Sequence, residues 1–244
     1  MGRAKRSWTS WTILVKPDER LRILEEEIVA CRKCPRLVRY REEVARVKRR
    51  AYRDWSYWGR PVPGFGDARA ELVILGLAPA AHGANRTGRV FTGDRSGEFL
   101  YRALHRAEFA NQPESTRRDD GLQLRNAFIS ATIRCAPPAN KPLPAEIENC
   151  AAYLEAELDL IRPRAVLALG RIAFDAYLRI LRKRGQIQRL SAYRFAHGAR
   201  FVLPAPLPQL FASYHPSQQN TQTGRLTAAM FGNVLRQIRK ALGT

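Results

Sequence analysis

Three groups of residues in this sequence could do chemistry. The first is its cysteines. Cys31-Arg-Lys-Cys34 is a C-x-x-C, and Cys135 and Cys150 follow much later with 14 residues between them. Four thiols with one C-x-x-C in a chain expected to be cytoplasmic point to metal rather than to disulfides. No histidine neighbours them, so the ligand set would be all sulfur. A tetrathiolate zinc and an iron–sulfur cluster fit that set equally well. Four protein ligands leave no open position, so the centre would be structural, tying the N-terminal helix to the segment 135–150. Four unrelated core cysteines are the bland alternative. The second group is "GLAPAAHGANRTGRVFTGDRSG", residues 76–97, with five glycines, three arginines, His82, Asn85, Phe91 and one carboxylate, Asp94. The third is "HPSQQNT", residues 215–221.

These groups need elements to position them. "DERLRILEEEIVA" (18–30) has apolar residues at helical spacing and leads into Cys31, and the very basic stretch 37–53 is helical in period. Residues 54–70, rich in Gly, Pro and aromatics, read as loop. The apolar runs of 71–79, 126–138, 164–170 and 209–221 begin as strands. Helices are expected over 97–110, 144–163, 171–185 and 226–242, and a short hairpin over 193–206, turning at His197-Gly198. Continuous apolar strands alternating with helices predict a three-layer α/β/α fold around a mainly parallel four-stranded sheet. Residues 1–17 read as a basic flexible tail and 18–244 as one domain. Ligands of such sheets sit beyond the strand C-termini. The loops 76–97, 135–143 and 214–225 all leave strand ends, so they should converge on one site.

Net charge is +20 and the pI about 10.8. So basic a chain is expected to meet a polyanion, and arginine, which dominates here, suits phosphate. A GC-rich coding bias would enrich arginine without any partner. No apolar run approaches a membrane span, and the N-terminus lacks the apolar core of a signal peptide. The expectation is a cytoplasmic, monomeric protein with a nucleic-acid partner and no membrane.

Taken together, the loop 76–97, "CAPPANK" (135–141), "HPSQQNT" and the C-x2-C…C-x14-C pattern resemble the family 5 (B-type) uracil-DNA glycosylases, from about Glu26 to Leu242. The resemblance implies the uracil-DNA glycosylase-like fold and a [4Fe–4S] cluster on Cys31, Cys34, Cys135 and Cys150. It also implies monofunctional hydrolysis of the N-glycosidic bond of a deaminated base in double- or single-stranded DNA, leaving an abasic site and initiating base excision repair. The chemistry is consistent with this. The base must be flipped out to be reached, and cleavage produces a cationic sugar and an anionic base, both of which need stabilising.

By this resemblance His215 bonds the base carbonyl and stabilises the departing anion. Asn140 reads the base edge, an amide being both donor and acceptor. Phe91 stacks on the flipped base. Asp94 orients the attacking water, or else the reaction is dissociative and needs little base help; its plain alternative is the cap of the following helix. Here the chain departs from the superfamily signature, which carries Asp, Asn or Glu where this sequence has Leu77 and Ala78. That implies a more tolerant pocket lined by Ala78, with hypoxanthine or 5-substituted uracils as further substrates. His82 and Asn85 are expected to bind water or sugar. Arg86 and Arg89 are expected to grip phosphate or brace the loop. Ser217, Gln218, Gln219, Asn220 and Arg225 are expected to enter the minor groove and fill the gap left by the base. A second reading keeps the fold and the cluster but makes the protein a non-catalytic sensor of damaged DNA. A third, an enzyme on a phosphorylated nucleoside, needs neither the +20 charge nor the His215 loop, and the loop lacks the lysine of a P-loop.

Overall fold

The computed structural model describes residues 16–244; the expected tail falls outside them except for Lys16 and Pro17. Pro17 in fact opens a helix, as its missing N–H and fixed φ suit a first helical position. That helix, α1 (Pro17–Val29), turns its Leu21, Leu24 and Ile28 inward. A short linker holds Cys31, and Cys34 immediately precedes α2 (Pro35–Val47). The helix expected over 37–53 stops at Val47 because Lys48 takes φ 60°; a single 3₁₀ turn, Arg50–Tyr52, follows.

The sheet is built from β2 (Leu72–Gly76), β3 (Ala127–Ala131), β4 (Ala165–Leu169) and β6 (Gln209–Ser213), all parallel, with β2 at the centre between β3 and β4. Two dipeptide edge strands pair antiparallel outside them: β1 (Phe65–Gly66) on β3 and β5 (Arg200–Phe201) on β6. The order is therefore β1-β3-β2-β4-β6-β5, six strands rather than the four expected. The expected hairpin within 193–206 is instead the β5–β6 pair. Gly198 lies at φ +78° and donates to the Ala212 carbonyl, so the chain folds back on β6 and not on itself.

Each core strand alternates its side chains between two apolar layers. Leu72 and Ile74 of β2 face the layer of α4 (Arg95–Arg106) and α8 (Ala228–Leu242); Val73 and Leu75 face the layer of α5 (Pro144–Ile161) and α6 (Arg171–Lys183). Because both faces are covered, every residue of β2, β3 and β4 is buried. Two further short helices lie inside the loops, α3 (Ala84–Thr87) and α7 (Gln218–Gln222). Chain direction across the sheet reverses at β2: β3 is added on one side, then β4 and β6 on the other. A crevice for ligands forms where connections diverge from such a switch point, here at the C-terminal ends of β2 and β4. Among the described residues no helix is long and apolar enough to cross a membrane.

Candidate active site and cysteine centre

The loop leaving β2 is packed rather than open. Residues 83–90 are all buried, and the arginines inside it hold it together. Arg89 is 3% exposed and forms a bidentate pair with Asp120, at 2.8 and 2.7 Å. It also donates to Thr92 Oγ1 and Ser115 Oγ. Arg86, equally buried, donates to the carbonyls of His82 and Gly93, and its guanidinium lies 4.0 Å from the ring centroids of both Tyr52 and Trp55. The expectation that Arg86 and Arg89 grip phosphate is thus corrected to the bracing role: Arg89 spends its nitrogens inside the protein, and Arg86, although its Nη1 has no partner, is buried with Nε and Nη2 bonded to loop carbonyls. Asn85 is fully buried: its amide N–H donates to the Arg41 and Ala81 carbonyls, and its Oδ1 has no protein partner.

The braced loop delivers Phe91 to His215. Phe91 sits at φ 50°, and its ring stacks on the His215 imidazole with centroids 5.7 Å apart and planes 30° from parallel. Two glycines permit this. A Cβ on Gly76, at the end of β2, would lie 2.8 Å from Phe91 Cε2; Gly170, at the end of β4 beside His215, takes φ +94°, which a side chain would strain. So two residues 124 positions apart meet over the switch point. Burial pushes the His215 ring down to about 4, so it is neutral near pH 7. His82, on the same loop, lies with Nδ1 3.1 Å from the Tyr57 hydroxyl; burial first, and then Arg49 and Arg86, lower its pKa.

Asp94 is the N-cap of α4, with Oδ1 accepting from the Gly97 N–H at 2.9 Å. Its other oxygen faces Gly83, where a Cβ would stand 2.0 Å from Oδ2. Burial raises its carboxyl, while the Gly97 and Ser96 N–H groups and the Arg86 charge oppose that rise. Ala78 is part-buried and packs toward the cysteines. Asn140 is exposed on a tight turn at φ 56°, a conformation asparagine tolerates. In the third loop Ser217 caps α7, whose residues Gln218 and Gln219 are exposed, and the Asn220 amide donates to the His215 carbonyl at 2.8 Å. Arg225 is exposed and stacks over Tyr214 at 4.6 Å. The structure therefore brings together Phe91, His215, Asn220 and, through the loop, Asp94. Tyr57, Gly76 and Gly170 were missed from the sequence; only the position of the two glycines at strand ends signalled them.

The four cysteines line one small enclosed space. Cys34, Cys135 and Cys150 are buried and none of the four is in a disulfide. Arg41 Nη1 donates to Cys135 Sγ at 2.9 Å and the Asn149 amide to Cys34 Sγ at 3.5 Å. Donors aimed at sulfur suit a thiolate centre, because burial otherwise favours the neutral thiol: it pushes Cys135 up to about 12. Among the described residues no three His, Cys, Asp or Glu side chains are gathered closely enough to share one metal ion. The donor set fits a sulfur-ligated cluster.

The model of the uracil DNA glycosylase superfamily matches residues 63–239. The chain is 53% identical over 218 residues to the type-5 uracil-DNA glycosylase of Mycobacterium tuberculosis, covering 88% of this chain and 80% of that protein. It is 52% identical over 221 residues to the type-5 enzyme of Thermus thermophilus, covering 89% and 96%. Similarity to the type-4 uracil-DNA glycosylase of Pyrobaculum aerophilum is 30% over 167 residues, 68% of each chain.

Proposed function

The chain belongs to the uracil DNA glycosylase superfamily, and from that premise we propose how its residues remove uracil from DNA. It is a uracil-DNA glycosylase, an N-glycosyl hydrolase acting on DNA. The observation that carries the reading of the site is the Phe91–His215 pair at the switch point.

A flipped uracil takes the Phe91 ring as its platform. It does not slide between Phe91 and His215, because two van der Waals gaps need about 7 Å between centroids and the rings stand 5.7 Å apart. His215 therefore meets the base at its edge. The C1′–N1 bond breaks with its electron pair leaving on the base, so negative charge gathers on the uracil carbonyl. A neutral imidazole N–H is a hydrogen-bond donor to that oxygen, and the depressed pKa of His215 keeps the ring in this form. The sugar becomes an oxocarbenium ion; water adds at C1′ and loses a proton, leaving an abasic site. Asp94 supplies the negative charge facing that cation and orients the water. Asn140, with an exposed amide on its turn, reads the base edge. The exposed Gln218, Gln219 and Arg225, with Ser217 and Asn220 setting the backbone of their loop, contact the DNA beside the vacated stack. The sequence carries no carboxylate or amide at Leu77 and Ala78, which supports a wider range of lesions, hypoxanthine among them.

Cys31, Cys34, Cys135 and Cys150 would hold a [4Fe–4S] cluster. The all-sulfur donor set, with Arg41 and Asn149 donating to Cys135 and Cys34, supports that reading. Bound there, the cluster would supply a covalent tie between the α1–α2 linker, the segment after β3 and α5, and the reaction steps remain with the loop residues.

The test is incubation of the protein with a U:G duplex followed by alkali. Strand scission only after alkali is expected of a monofunctional glycosylase. Scission without alkali would replace hydrolysis by a lyase reaction, and no scission at all would leave damaged-DNA binding without catalysis.

A further inference from the structure

Two arginines beside the cysteine centre are buried beyond what their visible partners explain. Arg41 is 2% exposed and Arg134 1% exposed, and both line the four-cysteine space. Arg41 donates one nitrogen to Cys135 Sγ and another to the Cys31 carbonyl at 3.3 Å, so it touches two of the ligand segments. Its Nε has no partner, and neither do Nε and Nη1 of Arg134. A buried guanidinium N–H without an acceptor costs about 1–3 kcal/mol, more when charged, so three such donors around one enclosed space call for an acceptor there. Arg134 is balanced by Glu157 at 2.6 Å, which also binds Ser130 at 2.5 Å. Arg41 has only Glu42, at 3.9 Å and 44% exposed. Its charge is the less compensated of the two.

We propose that Arg41, seconded by Arg134, is the counter-cation of the iron–sulfur cluster: its guanidinium completes the donor shell around the cluster sulfurs and raises the cluster's reduction potential. The physics is charge balance. Four thiolates on such a cluster leave a net negative group in an enclosed space, and reduction adds one more electron to it. A fixed cation at hydrogen-bond distance from one ligand sulfur stabilises the reduced form more than the oxidised one, and hydrogen bonds to sulfur act in the same direction. Arg41 also reaches the other site, because its backbone carbonyl accepts from the buried Asn85 amide of the loop that carries Phe91. Its side chain is a positioning group for the cluster and takes no part in bond cleavage.

This inference rests on the cluster assignment, and its test separates the two. Iron and sulfide content and the visible spectrum of the anaerobically purified wild type are measured first. A protein without iron defeats the cluster assignment, and the role of Arg41 falls with it. With iron bound, reductive titrations of wild type, Arg41→Met and Arg41→Lys are compared. At a fixed potential the ratio of reduced to oxidised cluster is expected to fall about tenfold in Arg41→Met, about 59 mV for a one-electron couple, and less in Arg41→Lys. An unchanged potential in a folded, iron-loaded Arg41→Met overturns the proposal. Should Arg41→Met lose the cluster, charge retention in Arg41→Lys is expected to restore loading. Failure of the lysine variant as well would make the requirement one of shape, and would also overturn it.

Discussion

His215 and Asp94 are titratable groups held away from their ordinary behaviour by the same cause, burial at the mouth of a packed loop. For His215 the sign is definite. The folded pKa of about 4 lies below the unfolded value near 6.5. Its neutral form is thus fully favourable to folding above about pH 6.5, and that contribution is lost progressively as pH falls toward 4. Single-turnover uracil release should be flat from pH 8 down to about 5 as far as this group is concerned, then drop through about 4; a decline centred near 6.5 would mean that the ring titrates normally and the site is open. Asp94 separates into two roles by substitution. Asp94→Asn keeps a capping side chain and should leave Tm nearly unchanged, while slowing excision roughly 10²-fold. Asp94→Ala should cost about 1 kcal/mol of stability as well. Equal excision rates in Asp94→Asn and wild type would reduce Asp94 to a helix cap.

At the scale of elements, strand ends decide where side chains can meet. Gly76 closes β2 against the Phe91 ring, and Gly97 opens α4 with its missing Cβ 1.8 Å from where the Phe91 carbonyl oxygen stands. Gly76→Ala should therefore displace the Phe91 ring. We expect a stability loss of about 1–3 kcal/mol from overpacking, measured by denaturant unfolding, and a larger fractional loss of excision; full activity would remove Phe91 from the base platform. These elements were unequally legible in the sequence. β2, β3, β4 and β6 announced themselves as apolar runs, and the helices over Arg95–Arg106, Pro144–Ile161 and Arg171–Lys183 by their period. β1 and β5 are dipeptides with no pattern of their own; they exist because the edges of β3 and β6 offer unpaired hydrogen-bonding groups. Arg86 and Arg89 read as surface cations because a sequence shows charge without its partners. Asp120 and Ser115, which bury Arg89, come from a loop some 30 positions on. Asp94 as a cap was legible from its place before the helix.

On the scale of the whole molecule, the switch point of a parallel sheet brings the loops of Phe91 and His215 together, and a charge of +20 draws a polyanion toward the protein. Affinity for undamaged duplex should fall about tenfold or more between roughly 50 and 200 mM salt, with a linear log–log slope, as phosphate-bound counterions are released. A salt-independent affinity would disconnect the charge from DNA. On the proposed cluster, removing its iron by chelation under oxidising conditions should lower Tm without abolishing the sheet, since the cysteines join the α1–α2 linker to the segment after β3 and to α5 and leave both apolar layers intact.

The most direct measurement is the single-turnover release of free uracil from a U:G duplex by the wild type and by His215→Ala, with folding of both checked by circular dichroism. The account predicts release by the wild type and a loss of roughly 10²-fold or more in His215→Ala, the scale of one lost transition-state donor, with DNA binding retained. Equal release by a folded His215→Ala would contradict the assignment of this crevice as the place where the glycosidic bond is broken.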